Sequence, residues 1–129
     1  SPAALLGVTV LTSMTEDDWR PLGVKTDLKQ MVKNLACLGR EWGLDGVVCS
    51  PEEAGFLRNL CPSPFLLVCP GIRWSAATDD QKRVASPGLA AAQGADFLVV
   101  GRPVYQAPDP VRIVTEILKE IQRGEKGLA

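Results

Sequence analysis

The apolar positions of this chain fall into two kinds of stretch that alternate along it. Ala3 to Leu11, Leu44 to Cys49, Phe65 to Cys69 and Ala95 to Val100 are short, near-continuous apolar runs. They predict strands over about 3–11, 44–49, 65–69 and 95–100. Between and after them the period changes. Leu28, Met31, Val32, Leu35, Leu38 and Trp42 recur at helical spacing, which predicts a helix over about 27–42 with these side chains on one face. Further helices are predicted over about 51–61, 87–93 and 109–123, the last with Val111, Val114, Ile117, Leu118 and Ile121 as its buried stripe.

The helix boundaries carry their own chemistry. Thr26 or Asp27 can cap the first helix, and Gly43 stops it. Ser50-Pro51 with Glu53 is a capping box with proline at the first helical position. Ser86-Pro87 and Asp109-Pro110 repeat the cap-plus-proline start. The order is strand, helix, four times over, across a single unit spanning 1–129. Continuous apolar strands are covered on both faces, which means an α/β fold with a parallel sheet. Four such units make either a small open sheet or half of an eight-unit barrel of about 250 residues.

The strand-to-helix connections are unequal. The one at Ser50 has no spare residues, whereas those after Leu11, Cys69 and Val100 are long and polar. In parallel α/β folds ligands bind at this end of the strands. Arg73 lies just past the third strand beside Gly71, and Arg102 just past the fourth beside Gly101. A guanidinium is a permanent cation whose fork matches a phosphate, and a glycine lets backbone N–H groups approach an anion. Either arginine alone reads as a surface ion-pair partner. Together they predict two walls of one anion pocket. Gln81 can donate to a phosphate or a neutral ring, and Thr12 and Ser13 at the mouth of the first strand can read the amide edges of a heterocycle.

Composition narrows the partners more than the chemistry. A net charge of −1, from 14 basic and 15 acidic residues, gives no electrostatic reason to expect nucleic acid or an anionic membrane. No apolar run approaches the ~20 residues of a membrane span. Histidine is absent, which excludes histidine-based triads and histidine-ligated metals within these residues. Cys37, Cys49, Cys61 and Cys69 lack paired spacing and read as reduced thiols of a cytoplasmic protein rather than a zinc site. Phosphate-loop and dinucleotide fingerprints are also missing.

Several blocks resemble a known family when taken together. LLGVTVLTSM at 5–14, GLDGVVCSPEEA at 43–54, VCPGIR at 68–73 and DQKRVASPGLAAAQGADFLVVGRPV at 80–104 resemble orotidine 5′-phosphate decarboxylase of the bacterial type. The likeness implies the C-terminal (βα)4 half of a TIM (βα)8 barrel. It implies an enzyme, usually a homodimer, that converts orotidine 5′-monophosphate to uridine 5′-monophosphate and carbon dioxide without a cofactor or metal. By resemblance, Arg73, Gln81, Gly101 and Arg102 hold the 5′-phosphate, Thr12 contacts the ligand, and Ser13 lies beside it at the pyrimidine.

One departure qualifies that likeness. The family's reaction centre is a lysine–aspartate array with a D-x-K-x-x-D motif on an early strand. Asp27-Leu28-Lys29 is a partial lookalike, but Val32 stands where the second aspartate belongs, and the segment opens a helix. The resemblance therefore implies a substrate grip with no catalytic residue in this chain, further βα units upstream of Ser1, and pairing with that missing half or with a second subunit. Lys25, Lys29 and Lys82 are expected to be surface charges.

Overall fold

The apolar runs become regular strands only over their middles. In the computed structural model, which describes residues 3–74 and 86–127, the strands are β1 (Leu6–Val8), β2 (Gly46–Val48), β3 (Leu66–Cys69) and β4 (Phe97–Leu98). They form one four-stranded parallel sheet in the order β1-β2-β3-β4, with Val8, Val48 and Val68 in register. Sequential order with all strands parallel requires each connection to cross back over the sheet, and helices do this. These are α1 (Leu28–Glu41), α2 (Pro51–Leu60), α3 (Pro87–Ala92), the single turn α4 (Arg102–Tyr105) and α5 (Pro110–Gly127). The polar connection before α1 holds two 3-10 turns, Glu16–Asp18 and Arg20–Leu22. Trp19 between them is buried, with its ring N–H donating to the Thr26 carbonyl at 2.8 Å.

The helix starts follow from their capping residues. Asp27 Oδ1 accepts from the Gln30 N–H at 2.8 Å. Ser50 Oγ accepts from the Glu53 N–H at 3.3 Å while Glu53 Oε1 accepts from the Ser50 N–H at 2.8 Å, closing the capping box. Ser86 and Asp109 cap α3 and α5 from Leu89 and Arg112.

The core lies on the central strands. Val47, Cys49, Leu67 and Cys69 pack with Val32 and Ala36 of α1, Ala54 and Leu57 of α2, and Ala90 of α3. Cys49 and Cys69 sit side by side with their sulfurs 3.8 Å apart. That contact and burial push the Cys49 thiol far up. Cys61 is also buried and Cys37 is exposed. On the far side, α3 and α5 cross so closely that a Cβ on Gly124 would strike the backbone of Gly88.

Exposure departs from the apolar pattern in three places, and in two of them, the buried stripe of the last helix and the covering of every strand, it corrects an expectation. On α1, Val32, Ala36 and Gly39 are buried, but Leu35, Leu38 and Trp42 are exposed. On α5, Ile117 is buried, but Val111, Val114 and Leu118 are exposed. Likewise the outer strands are not covered throughout: Val8, Phe97 and Val99 are more than half exposed, at 57%, 58% and 53%. The reason is common to all three. These residues belong to the two sides of the sheet where no described strand follows.

The end of the sheet where the strands begin is closed by polar side chains. Asp45 Oδ2 accepts from the Leu5 N–H at 2.6 Å, tying the starts of β1 and β2. Asp96 Oδ2 accepts from the Leu67 N–H at 2.8 Å, tying those of β3 and β4. Arg58 of α2 completes this floor. Its guanidinium donates to the carbonyls of Phe65 at 2.8 Å, Gly94 at 3.0 Å and Cys61 at 3.3 Å, and it pairs with Asp96.

Candidate functional site

Because every strand runs the same way, all four strand-to-helix connections emerge at one end. There a pocket of about 1560 Å³ opens. Val10, Leu11 and Thr12 reach it from β1, Ser50 and Pro51 from the start of α2, Pro70 to Trp74 from β3, and Arg102 and Pro103 from α4. Gly71, at φ 76°, turns the chain after β3 and delivers Ile72 inward to the core and Arg73 to the mouth.

Arg73 and Arg102 are both exposed and both line this pocket. Neither guanidinium has a hydrogen bond or ion pair with another described residue. Thr12 lines the same pocket. Ser13, its neighbour, is exposed and is not among the lining residues. Gly101 precedes α4, and its carbonyl accepts from the N–H groups of Val104 and Tyr105 at 2.9 and 3.1 Å. A Cβ there would meet only Tyr105, at an ordinary 3.5 Å. Gln81 and Lys82 lie outside the described residues.

Other residues share the pocket without having been anticipated as site residues. Lys29, Glu52, Phe56, Trp74 and Gln106 line it. The zero-length connection at Ser50 was visible in the sequence. Its consequence is that the first turns of α2, with Glu52 and Phe56, stand at the mouth. Lys29 Nζ rests 5.1 Å and Lys33 Nζ 5.6 Å from the centre of the Phe56 ring, a cation–π arrangement. Glu53 also faces the pocket, but its carboxylate is engaged by the Ser50 N–H. Below the rim, Glu16 Oε1 accepts from the Leu28 N–H at 2.8 Å, and that bond holds its carboxyl below the ordinary value.

The arrangement suits an anion beside an apolar surface. Two permanent cations stand at the ends of adjacent strands, with aromatic and aliphatic walls between them and Thr12. Parallel βα units in sequential order, with the pocket-lining side chains at the carboxyl ends of the strands, define half of a TIM barrel. The chain belongs to the orotidine 5′-phosphate decarboxylase / HUMPS family, whose family model matches residues 1–117. It is 52% identical over 121 residues to an orotidine 5′-phosphate decarboxylase of Pelobacter propionicus, covering 93% of this chain and 50% of that one. It is 47% identical over 123 residues to the protein of the same name from Geobacter sulfurreducens. A crystal structure of orotidine 5′-phosphate decarboxylase from Lactobacillus acidophilus superposes with a TM-score of 0.80 at 36% identity, covering 94% of this chain and 50% of that one. The chain thus spans about half the length of the curated relatives it matches.

Proposed function

We propose that this chain provides the substrate-holding half of a cytoplasmic orotidine 5′-phosphate decarboxylase, a lyase of pyrimidine nucleotide biosynthesis. The observation that carries the reading is the pair Arg73 and Arg102, lining one pocket with no described partner for either guanidinium. In this reading the two arginines, with Gly101 and Gln81, hold the 5′-phosphate by charge-assisted hydrogen bonds. Thr12 faces the pyrimidine, with Ser13 beside it in the chain but outside the pocket lining. The phosphate lies away from the carbon that loses carbon dioxide. Binding energy realised there serves to hold the carboxylate in place against an unfavourable environment.

The proton-delivering lysine and its aspartates belong, in this reading, to the other half of the barrel. The local lookalike is otherwise occupied. Asp27 caps α1, Lys29 stacks on Phe56, and Val32 is buried in the core. The 129-residue chain alone is therefore expected to bind product and not to turn over substrate.

Calorimetric titration with uridine monophosphate, uridine and ribose 5-phosphate tests the grip. Loss of two phosphate contacts should weaken uridine at least ~100-fold relative to the monophosphate. Equal binding of uridine and its monophosphate would remove the phosphate assignment. Ribose 5-phosphate binding as tightly as the nucleotide would favour another phosphosugar enzyme. Decarboxylation by the purified chain, followed by ultraviolet absorbance, would overturn its inactivity.

A further inference from the structure

The cysteines have no paired spacing in the sequence, but the fold brings them together two by two. Cys49 and Cys69 meet on adjacent strands, and both are buried. Cys37 of α1 and Cys61 at the end of α2 meet on different terms: Cys37 is exposed and Cys61 is fully buried. An accessible thiol beside a buried one suits redox chemistry, in which the outer sulfur meets the oxidant and the inner one resolves it.

Two observations place Cys37 against Cys61. The first is the phase of α1. Val32, Ala36 and Gly39 are buried, while Lys29 and Lys33 reach the Phe56 ring of α2. At 3.6 residues per turn, Cys37 lies one turn beyond Lys33, at the outer edge of this α2-facing side, and Arg40 shares that side. Cys61 is the C-cap of α2, its N–H donating to the Leu57 carbonyl at 2.7 Å. The second observation is the surroundings of the Cys61 sulfur. Cys37 shares a side-chain hydrogen bond with it, and the charges of Arg40 and Arg58 act on it. Both thiols lie on helices that pack together through Val32, Ala36, Ala54 and Leu57, so the seam between them is formed within this chain.

We propose that Cys37 and Cys61 are a modification site: hydrogen peroxide converts them to a disulfide that staples α1 to α2. The Cys37 sulfur attacks peroxide; an S–O bond forms, the O–O bond breaks, and one water leaves with the thiol proton. The Cys61 sulfur then attacks the sulfur of the Cys37 sulfenic acid. The S–S bond forms as the S–O bond breaks, and the hydroxyl departs as a second water with the Cys61 proton. The two thiols lose two electrons and peroxide is reduced to two waters. The sulfurs must close to about 2.05 Å. Cys61 is tethered at both its N–H and its carbonyl, the latter accepting from Arg58 at 3.3 Å, so the exposed Cys37 is the side chain that turns inward. Cys49 and Cys69 are spared because the core covers both. Ser50 and Pro51, at the other end of α2, line the pocket, so the staple acts on the helices and stands apart from the nucleotide assignment.

Peroxide treatment of the native chain, alkylation of the remaining thiols in denaturant and peptide mapping test this. Trypsin with chymotrypsin parts Cys61 from Cys69 at Phe65. Two of the four thiols should be lost, with the Cys37 and Cys61 peptides joined and Cys49 and Cys69 alkylated. Dithiothreitol should restore all four. The bridged chain should gain roughly 1 M or more in urea midpoint. Cys37→Ser should form no bridge. Cys61→Ala should halt at a Cys37 sulfenic acid that dimedone traps, and this needs no change in the folded chain at the exposed position. A bridge between Cys49 and Cys69, a bridge between two chains, a Cys37 oxidised to sulfinic acid while Cys61 stays free, or a midpoint unchanged or lowered on bridging would each overturn the proposal.

Discussion

Arg58 and the pair Arg73 and Arg102 carry the same side chain at opposite ends of one sheet, in opposite circumstances. At the floor, Arg58 is mostly buried, at 19% exposure, with its fork engaged by three carbonyls and the Asp96 carboxylate. At the mouth, Arg73 and Arg102 are exposed and make no such contacts with described residues. The difference follows from direction. In a parallel sheet the helix-to-strand connections gather at one end, and their orphaned carbonyls need donors. The strand-to-helix connections gather at the other end. Those carbonyls are taken by helix starts, so a cation placed there keeps its hydrogen-bonding capacity for something from outside.

The sharpest way to break this contrast is to remove the floor. Arg58→Met keeps the aliphatic stem but leaves the carbonyls of Gly94 and Phe65 without their side-chain donor and the Asp96 carboxylate with the Leu67 N–H but no cation. We expect a loss of about 3–5 kcal/mol, read as a shift of the urea midpoint. Arg58→Lys should recover little, because an ammonium cannot span a set arranged for a planar fork. A cost below about 1 kcal/mol would mean that the floor is held by Asp45, Asp96 and the core without Arg58.

Next in size is the mouth. Arg73→Ala and Arg102→Ala should each leave the urea midpoint within about 0.5 kcal/mol of the parent. Each should weaken uridine monophosphate by about 10- to 100-fold, the worth of one charge-assisted contact. Should either variant lose stability comparable to Arg58→Met while keeping its affinity, floor and mouth would have exchanged roles and the phosphate assignment would go with them.

Local chemistry was legible in the sequence and remote chemistry was not. Asp27, Ser50 with Glu53, Ser86 and Asp109 were readable as caps because a cap needs only the next three residues, and each makes its expected bond. The parallel sheet was legible in four continuous apolar runs. Arg58 was not, because its partners Phe65, Gly94 and Asp96 come from two later connections and nothing beside it in sequence sets it apart. Arg73 and Arg102 were singled out by their place past strand ends, and the fold brings both to one pocket with Thr12. Lys29 and Phe56 were missed there because neither follows a strand directly. Helical spacing placed Val32 on the apolar face of α1 and Ile117 in the buried stripe of α5, and both are buried. It could not say that Trp42 and Val111 would be exposed, since the period shows which side of a helix is apolar and not what stands opposite.

The smallest expected effect concerns how the mouth itself is tied down. Where the floor uses a cation on carbonyls, the connection from β1 to α1 uses an anion on an amide: Glu16 accepts from the Leu28 N–H twelve residues on. That bond is the main cause of the lowered carboxyl, helped by the backbone N–H of Glu16 itself and less by Arg20, and opposed by desolvation and by the Asp27 charge. A group whose folded value lies below its ordinary 4.5 favours the folded state when ionised. Its contribution is complete above that value and is lost as pH falls through the lower folded one. Glu16→Gln keeps an acceptor but no charge. The parent should therefore exceed the variant by a small, constant margin from neutral pH down to about 5, and the margin should close further into acid. Urea midpoints of both proteins across that range measure it. A margin that widened in acid would reverse the sign and show that the ionised carboxylate is not what holds this loop to α1.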